Sequence, residues 1–321
     1  MLPFRVMAVP QLRTVTRTQG NNEALKTGVV TPRGFRFEFE EVPVLVDAFR
    51  RMVRGLEFDV SEMALTTYLV AKAHGARFTA VPVFLVRGFH HGAVFHDPAS
   101  DVRSPKDLEG RRVGVSRGYT VTTGVWARAV LQEEYGVDLD KVTWVLSGDE
   151  HVAAYRPPAN VVPVDSGGSL EDALLAGDLA AVIGPRPASS ALAPLIPEPA
   201  EAGFTALRER ALYPINHLIV IRDELLAEQP ELGALVFDAF ARAKQLYVDR
   251  LHSGGVNSPT ATDRMYRRVL ELTGMDPLPY GLEPNRAVLE QLMRHAVDQH
   301  ILERPLPLEG LFAESTRTLI A

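Results

Sequence analysis

Hydrophobic and polar residues follow two different periods along this chain. Residues 35–42 alternate phenylalanine with charged side chains, which is the period of two expected for a half-buried strand. Residues 78–86 form a continuous apolar run typical of a buried strand, and residues 4–9 predict a further strand. Across residues 232–251 apolar side chains recur every three or four positions, as on one face of a helix. Because strands and helices alternate in this way, the pattern predicts an α/β fold with mainly parallel sheets.

The stretch GLEFDVSEMALTTYLV, residues 55–70, predicts a strand that runs directly into a helix. The apolar run is interrupted at Ser61, and apolar residues recur four apart from Leu65 onwards. A serine followed by Glu62 is an ordinary helix start, because the side-chain oxygen can accept from a first-turn amide. Such a start can also bind an anion, since its free amides lie at the positive end of the helix dipole. Capping and ligand binding both remain open here.

Two segments predict crossings between domains. Residues 86–96 place a glycine and two histidines between apolar stretches, and residues 211–221 lead back into a long apolar strand. If both are hinges, residues 1–89 and 210–321 form one lobe and residues 90–209 form a second, inserted lobe. The cleft between the lobes is then the expected binding site, because ligand sites are common at domain interfaces.

Composition changes this picture mainly by exclusion. With 321 residues, 46% of them hydrophobic, the chain is long enough for two domains with substantial cores. It contains no cysteine, which excludes disulfides, thiolate nucleophiles and cysteine-ligated metals. The net charge of -6 and the lack of a basic run with interleaved aromatic residues argue against nucleic acid as a partner.

The first twenty residues lack the basic start, the apolar segment and the small-residue cleavage site of a secretory signal. No segment reaches the ~18 uncharged apolar residues that a membrane span requires. We therefore expect a cytoplasmic protein without a membrane partner.

Six segments occur together in an order and spacing that resemble one protein family. They are FDVSEMALTTYL (58–69), VPVFLVRGFHHGA (81–93), SPKDLEGRRVGV (104–115), GVWARAVLQEEYGV (124–137), YPINHLIVIRDEL (213–225) and YGLEPNRAVLEQLMRHAVDQHI (280–301). As a set they resemble the 4,5-dihydroxyphthalate decarboxylase family, which is similar to a cytoplasmic branch of the type II periplasmic binding proteins. The resemblance implies a two-lobed Venus-flytrap fold with a ligand cleft between the lobes. It also implies loss of one carboxylate from a dihydroxylated aromatic diacid without a cofactor.

The chain departs from the family pattern at two places. Where the family usually shows R-x-F-R-H-S, this chain has His90 in place of the second arginine and Gly92 in place of the serine. The family loop GVPEYQMTA corresponds here to GVSRGYTVTTG, residues 114–124. One cation is therefore weakened at neutral pH, and one glutamate is absent.

The chemistry of such a reaction defines which residues to look for. Decarboxylation of a hydroxylated aromatic acid requires protonation of the ring carbon that bears the carboxylate, so it needs a proton donor and a base that binds the hydroxyl. Histidine suits both roles near neutral pH. The candidate catalytic residues are His91, Glu62 and His217.

Carboxylate binding requires guanidinium forks or rows of free amides. Two glycines and several hydroxyls within residues 116–124, before a helix that starts near Thr122, suit close approach of an anion. Arg186 follows a predicted strand end, where ligands gather in α/β sheets. The candidate substrate-binding residues are Ser61, Arg87, His90, Ser116, Arg117, Tyr119, Thr122, Arg186 and Tyr280.

Each candidate also has a purely structural interpretation, and the residues alone leave both open. Arg87 could form an ion pair at the lobe boundary, His217 could be a satisfied structural histidine, and Tyr280 could serve packing. His90 and His91 would point to opposite sides of an extended strand, so at most one faces the cleft, and His91 matches the family. Because neighbouring histidines on a strand diverge, we expect no metal site.

Two functional hypotheses from different classes follow. In the first, the chain is a cofactor-independent carboxy-lyase that acts on a hydroxylated, phthalate-like aromatic acid. In the second, it is a solute-binding protein that captures an aromatic or other organic anion for an ABC transporter. A small aromatic carboxylate is the expected partner in both, and homo-oligomerisation stays open.

Overall fold

The structure, a computed structural model, describes residues 9–164 and 168–321. The strand predicted at residues 4–9 lies almost wholly outside the described residues. The β-strands are β1 (Gln11–Val15), β2 (Arg36–Glu40), β3 (Val60–Ala64), β4 (Phe78–Arg87), β5 (Val94–His96), β6 (Arg112–Val115), β7 (Thr143–Leu146), β8 (Val161–Pro163), β9 (Ala181–Ile183), β10 (Ala193–Pro194) and β11 (Ile215–Arg222). The α-helices are α1 (Glu23–Lys26), α2 (Leu45–Gly55), α3 (Leu65–Ala73), α4 (Thr122–Tyr135), α5 (Leu170–Leu175), α6 (Pro199–Arg210), α7 (Asp223–Glu228), α8 (Leu232–Ser253), α9 (Ala261–Thr273) and α10 (Arg286–Asp298).

The first sheet has five strands in the order β2-β1-β3-β11-β4. Strands β1, β2 and β3 pair in parallel, whereas β11 runs antiparallel to both of its neighbours. Strand β11 therefore returns late in the chain to fill the gap between β3 and β4. Its central residues are fully buried, which explains the continuous apolar sequence of this strand. Helices α2, α3 and α8 pack against this sheet.

The second sheet has six strands in the order β10-β5-β9-β6-β7-β8, all from residues 94–194. Strands β6, β7, β8 and β9 are parallel, and β5 is antiparallel to β9 and β10. The chain passes between the sheets twice, and the two crossings touch where the Gly88 amide donates to the Pro214 carbonyl at 3.2 Å. We propose residues 1–89 and 210–321 as lobe I and residues 90–209 as lobe II.

The boundary between β3 and α3 differs from the prediction. The strand continues through Ala64 and the helix begins at Leu65, so the expected helix start at Ser61 is wrong. Ser61 and Glu62 instead pair with β11 in the middle of the sheet, and both are fully buried. Two polar residues tolerate this position because their side chains find hydrogen-bond partners, as described below. By contrast, α4 begins at Thr122 as the sequence predicts.

The two lobes are in direct contact. The Trp126 indole of lobe II donates to the Ile215 carbonyl at 3.0 Å, and the Thr66 hydroxyl of lobe I donates to the Thr120 carbonyl at 2.6 Å. Arg50 and Arg54 on α2 both pair with Asp149 of lobe II, at 2.9 and 2.7 Å. Hydrogen bonds and ion pairs therefore join the two lobes in this structure. Among the described residues no helix combines the length and the apolar character needed to cross a bilayer.

Candidate functional site

A cavity of about 560 Å³ lies between the two lobes. The lobe I wall consists of Arg17, residues 41–46, Phe49, Ala64, Val86, Asn216 and His217. The lobe II wall consists of Arg117, Val121, Thr122, Thr123 and His151. Both walls combine apolar side chains with a few polar groups, which is the usual make-up of a small-molecule site.

A second cavity, of about 580 Å³, lies within lobe I between residues 17–23 and residues 247–266. Its walls carry mainly neutral polar side chains, and Arg17 borders both cavities. Of these two cavities, the interlobe one brings together histidines and residues from both lobes. We therefore place the candidate site there.

His217 lines the interlobe cavity and is hydrogen-bonded to Glu62, which lies behind it. The imidazole Nδ1 and the Glu62 Oε1 are 2.6 Å apart, and the second carboxylate oxygen accepts the Arg17 amide at 2.9 Å. Because an ionised carboxylate only accepts hydrogen bonds, Nδ1 carries the proton in this pair. The Nε2 atom of His217 is then free to exchange a proton with a ligand, with Glu62 holding the ring in place.

A second histidine lines the cavity from lobe II. His151 Nδ1 is 2.9 Å from the Thr67 hydroxyl of lobe I, and its Nε2 atom is buried with no hydrogen-bond partner among the described residues. Burial, followed by the charges of Arg50 and Arg117, lowers the pKa of His151 to about 4. This imidazole is therefore neutral at physiological pH.

An aromatic ring lies close to both histidines. The Phe49 ring centroid is 5.2 Å from that of His217 and 6.2 Å from that of His151, and both contacts are edge-to-face. Phe49 lines the cavity and thus places an apolar side chain beside both imidazoles.

Two arginines, Arg17 and Arg117, line the cavity. Arg17 and Arg117 form no ion pair with an acidic side chain in the described parts of the chain. Burial, together with the guanidinium groups of Arg50 and Arg17, lowers the pKa of Arg117 from its usual value. Arg117 also adopts a left-handed backbone, with φ of 71°, and its amide donates to the Ser147 hydroxyl at 2.8 Å. Backbone strain of this kind is frequently kept at functional sites.

Three helices begin at the cavity, namely α2, α3 and α4, and none is capped by the side chain of its own N-cap residue. The Thr122 hydroxyl of lobe II accepts the Thr66 amide at 3.2 Å and so caps α3 from the other lobe. Free first-turn amides and aligned dipoles favour a negative ligand. Together with Arg17 and Arg117, they make this cavity suited to a carboxylate.

The comparisons with known proteins assign the chain to a family. No family model matches it. Over 283 residues it is 30% identical to a Comamonas testosteroni protein named 4,5-dihydroxyphthalate decarboxylase, a match that covers 83% of this chain and 85% of the relative. The chain belongs to the 4,5-dihydroxyphthalate decarboxylase family. A Pseudomonas putida protein of the same name is 35% identical over 148 residues, which are 44% of this chain and 57% of that protein.

Solved structures confirm the fold predicted for this family member. A Candida albicans protein with the generic periplasmic binding protein fold matches with a TM-score of 0.54, at 13% identity over 96% of this chain and 95% of that one. The Escherichia coli aliphatic sulphonate binding protein SsuA matches with 0.51, at 10% identity over 97% and 99%. The desulfurization enzyme DSZB also matches with 0.51, at 16% identity over 95% and 96%. The periplasmic-binding-protein-like α/β fold of this decarboxylase family member is therefore shown.

Several of the candidate residues of this family member meet in or behind the cavity. Arg117, Thr122 and His217 line it, and Glu62 supports His217 from behind. The Ser61 hydroxyl donates to the Glu62 carbonyl at 2.7 Å, so it lies in the same layer without reaching the cavity.

Further candidates belong to the layer behind the lining residues. His90 bonds Asn216, a lining residue, with Nε2 3.1 Å from the amide oxygen, and burial lowers its pKa to about 4. Ser116 follows β6, and its amide donates to the Ile183 carbonyl at 2.8 Å. We infer that His90 and Ser116 support the site from behind.

The structure contradicts the expectation that His91 faces the cleft. Its imidazole is fully buried inside lobe II, where Nε2 pairs with Glu134 at 2.8 Å, and Glu134 also pairs with Arg210. The prediction assumed an extended strand, whereas residues His91–Ala93 form a 3-10 turn that directs this side chain towards α4 and α6. We assign His91 a structural role.

Arg87 is likewise not an anion anchor in the cleft. Its guanidinium lies 4.3 Å from the Tyr213 ring centroid and donates to the Tyr213 carbonyl at 2.9 Å. Burial lowers the pKa of Arg87 to about 10. The alternative of an ion pair is also wrong among the described residues, since stacking and carbonyl contacts take its place.

Three other candidates lie away from the cavity walls. Tyr119 is buried under Arg128, whose guanidinium is 3.8 Å from the ring centroid. Tyr280 is buried in lobe I, 5.0 Å from the Lys244 ammonium, and Arg186 is exposed on the loop after β9. Packing explains the two tyrosines better than ligand binding does.

The lining residues that were not predicted from the sequence include Arg17, Phe49, His151 and Asn216. Arg17 and His151 follow the carboxyl ends of the parallel strands β1 and β7, where α/β sheets bind ligands. Applying that rule to every predicted strand end would have identified both. Phe49 carried no such signal, because it fits the apolar face of α2.

Proposed function

We propose that this protein is a cofactor-independent decarboxylase of a hydroxylated, phthalate-like aromatic acid, with 4,5-dihydroxyphthalate as the first candidate substrate. Family membership supports the reaction class, because two relatives carry that name. The observation that carries the proposal is the His217–Glu62 pair, whose free imidazole nitrogen faces a cavity suited to an aromatic carboxylate.

The retained carboxylate would bind at Arg17, Arg117 and the helix starts, where the positive potential is greatest. Phe49 would pack against the aromatic ring. The carboxylate that leaves would lie on the less polar side, because removing a charge is easier where that charge is poorly solvated.

His217 would supply the proton. Its Nε2 proton is transferred to the ring carbon that bears the departing carboxylate, while the ring hydroxyl para to that carbon donates electron density. The carbon–carbon bond then breaks, carbon dioxide leaves, and the bonding pair restores the aromatic ring. Glu62 stabilises the protonated imidazole before the transfer, and His217 regains a proton from solvent. One proton is consumed for each carbon dioxide released, so the step balances.

The test is carbon dioxide release from 4,5-dihydroxyphthalate under single-turnover conditions, with phthalate as the comparison compound. Phthalate lacks the donating hydroxyls, so we expect binding without release. Release from the dihydroxylated acid alone would support the proposal. No release from either acid, although both bind, would contradict it.

The solute-binding hypothesis is the second candidate, and the shared fold favours it. E. coli SsuA, a periplasmic binding protein by name, has the same architecture. That hypothesis expects tight binding of an organic anion and no turnover, so the same assay separates the two. Cytoplasmic location stays a prediction, and cell fractionation would test it.

A further inference from the structure

His151 has an unsatisfied polar atom at the wall of the interlobe cavity. The residue is 2% exposed, and its Nε2 atom has no hydrogen-bond partner in the described parts of the chain. Buried polar atoms are nearly always paired, so an exception at a cavity wall indicates that a ligand completes it.

The contact with Thr67 determines which nitrogen of His151 carries the proton. The Thr67 hydroxyl is buried, and its one hydrogen-bond contact among the described residues is His151 Nδ1, at 2.9 Å. A hydroxyl has a proton to donate, and a buried donor is rarely left without an acceptor. Thr67 therefore donates to Nδ1, and the ring proton lies on Nε2, at the cavity wall.

Lobe I also holds the loop that carries His151. The Arg54 guanidinium on α2 donates to the His151 carbonyl at 3.2 Å, and Arg50 and Arg54 both pair with the nearby Asp149. Both the backbone and the side chain of His151 are thus positioned by residues of the opposite lobe. Because His151 lines the cavity and its Nδ1 atom is taken by Thr67, Nε2–H is the ring group left for a ligand there.

We propose that His151 is a substrate-contact residue whose Nε2–H donates a hydrogen bond to a carboxylate oxygen of the aromatic acid, with Thr67 as the residue that fixes its tautomer. The identity of the ligand rests on the proposed function. Unlike Arg17 and Arg117, this imidazole brings no full charge, and it lies beside the Phe49 ring. The neutral His151 imidazole therefore suits the carboxylate that leaves as carbon dioxide. The retained carboxylate is better matched by the two charged arginines.

The first test is binding of phthalate and of 4,5-dihydroxyphthalate by calorimetry. His151→Phe keeps an aromatic ring but removes the donor, so we expect affinity for both acids to fall ~10- to 100-fold. His151→Gln keeps an N–H group near the position of Nε2 and should recover most of that loss. His252→Phe, at an exposed histidine at the end of α8, is the matched control and should bind like the parent.

The second test is the tautomer, measured by nitrogen-15 NMR of labelled imidazoles in the ligand-free protein. We expect the proton of His151 on Nε2 in the parent and in Thr67→Ser, and a mixture of tautomers in Thr67→Val. This measurement needs neither a ligand nor the His151→Phe variant. It therefore still tests the position of the ring proton if that variant does not fold.

A proton on Nδ1 in the parent would overturn the proposal, as would unchanged affinity in a folded His151→Phe variant. Absence of binding of either acid by the parent would overturn it too. If His151→Phe weakens binding while the parent releases no carbon dioxide, the decarboxylase proposal fails and the role of His151 stands.

Discussion

At the residue scale, one buried carboxylate organises the chemistry of the cavity. Glu62 lies in the middle of a sheet, where an unpaired charge would be costly, and it accepts hydrogen bonds from His217 and from the Arg17 amide. These contacts fix both the ring orientation and the tautomer of His217. The carboxylate thus acts through the histidine and has no path of its own to a ligand.

The first prediction follows from that division of roles. His217→Gln should lower the rate of carbon dioxide release by ~100-fold or more, the usual scale of general acid–base catalysis. Glu62→Gln should also lower it, because a neutral amide stabilises a protonated imidazole less than a carboxylate does. Binding of phthalate should stay within about threefold of the parent in His217→Gln, since the arginines hold the anion. Single-turnover assays and calorimetry on the same preparations measure both, and equal rates in variant and parent would remove His217 from the mechanism.

His90 gives a second prediction at this scale, concerning pH and stability. Its pKa is about 4 in the folded protein, because burial disfavours the charged ring, and near 6.5 when the chain unfolds. The unfolded state therefore binds more protons between these values, so stability is full above pH 6.5 and falls as the pH drops towards 4. We expect His90 to cost the parent about 2 kcal/mol of unfolding free energy between pH 7 and pH 5.

Urea denaturation of the parent and of His90→Gln at both pH values measures this contribution. The variant keeps a polar group near Asn216 but cannot titrate. Between pH 7 and pH 5 it should therefore lose about 2 kcal/mol less unfolding free energy than the parent does. Equal losses in the two proteins would show that His90 is not held neutral by the fold.

The residue scale also shows why histidine roles were hard to predict. His217 and Glu62 were both identified as candidates, yet nothing in the sequence indicated that they pair, because they lie 155 positions apart. His91 was favoured over His90 because it matches the family, and an extended strand would let only one of the two face the cleft. The 3-10 turn at residues His91–Ala93 leaves His91 paired with Glu134, while His90 bonds Asn216 behind the cavity wall, and such a turn has no clear signal in the segment FHHGA.

At the scale of elements, the site depends on where strands end and helices begin. The alternation of strands and helices was predictable because period and length distinguish the two. The end of β3 was not, because Ser61 and Glu62 resemble a helix start, while their true environment is a pairing with β11 from a distant part of the chain. Two adjacent polar residues inside a predicted buried strand are thus better interpreted as candidate site residues than as the end of the strand.

A third prediction tests the helix starts. Thr122 caps α3 of the opposite lobe through its hydroxyl, and the Thr66 and Thr122 hydroxyl oxygens are 2.8 Å apart. Thr122→Val preserves the shape and removes the hydroxyl, leaving the Thr66 amide unpaired, so we expect a loss of ~1 to 3 kcal/mol in unfolding free energy. Thr122→Ser should retain most of it. Chemical denaturation of the three proteins provides the measurement, and a loss in Thr122→Ser as large as in Thr122→Val would assign the effect to packing.

At the scale of the whole molecule, the two-lobed architecture was predictable because the crossings and the family segments both indicated it. The contacts that close the lobes were not. Arg50 and Arg54 on α2 meet Asp149 about a hundred residues later in the sequence, and each side chain alone looks like an ordinary surface charge. Because these side chains lie between the lobes, they join the lobes, which their exposure alone would not suggest.

The last prediction concerns this interlobe contact. Asp149→Asn removes the charge that both arginines share, so the closed arrangement should be less populated and phthalate should bind about 3- to 10-fold more weakly. The unfolding free energy should change by less than about 1 kcal/mol, because the carboxylate is largely exposed. Asp101→Asn is the matched control, since its ion pair with Arg111 lies within lobe II. Small-angle scattering with and without phthalate measures closure directly. A variant that remains as compact as the parent and binds equally well would show that the contacts through Trp126 and Thr66 hold the lobes together without Asp149.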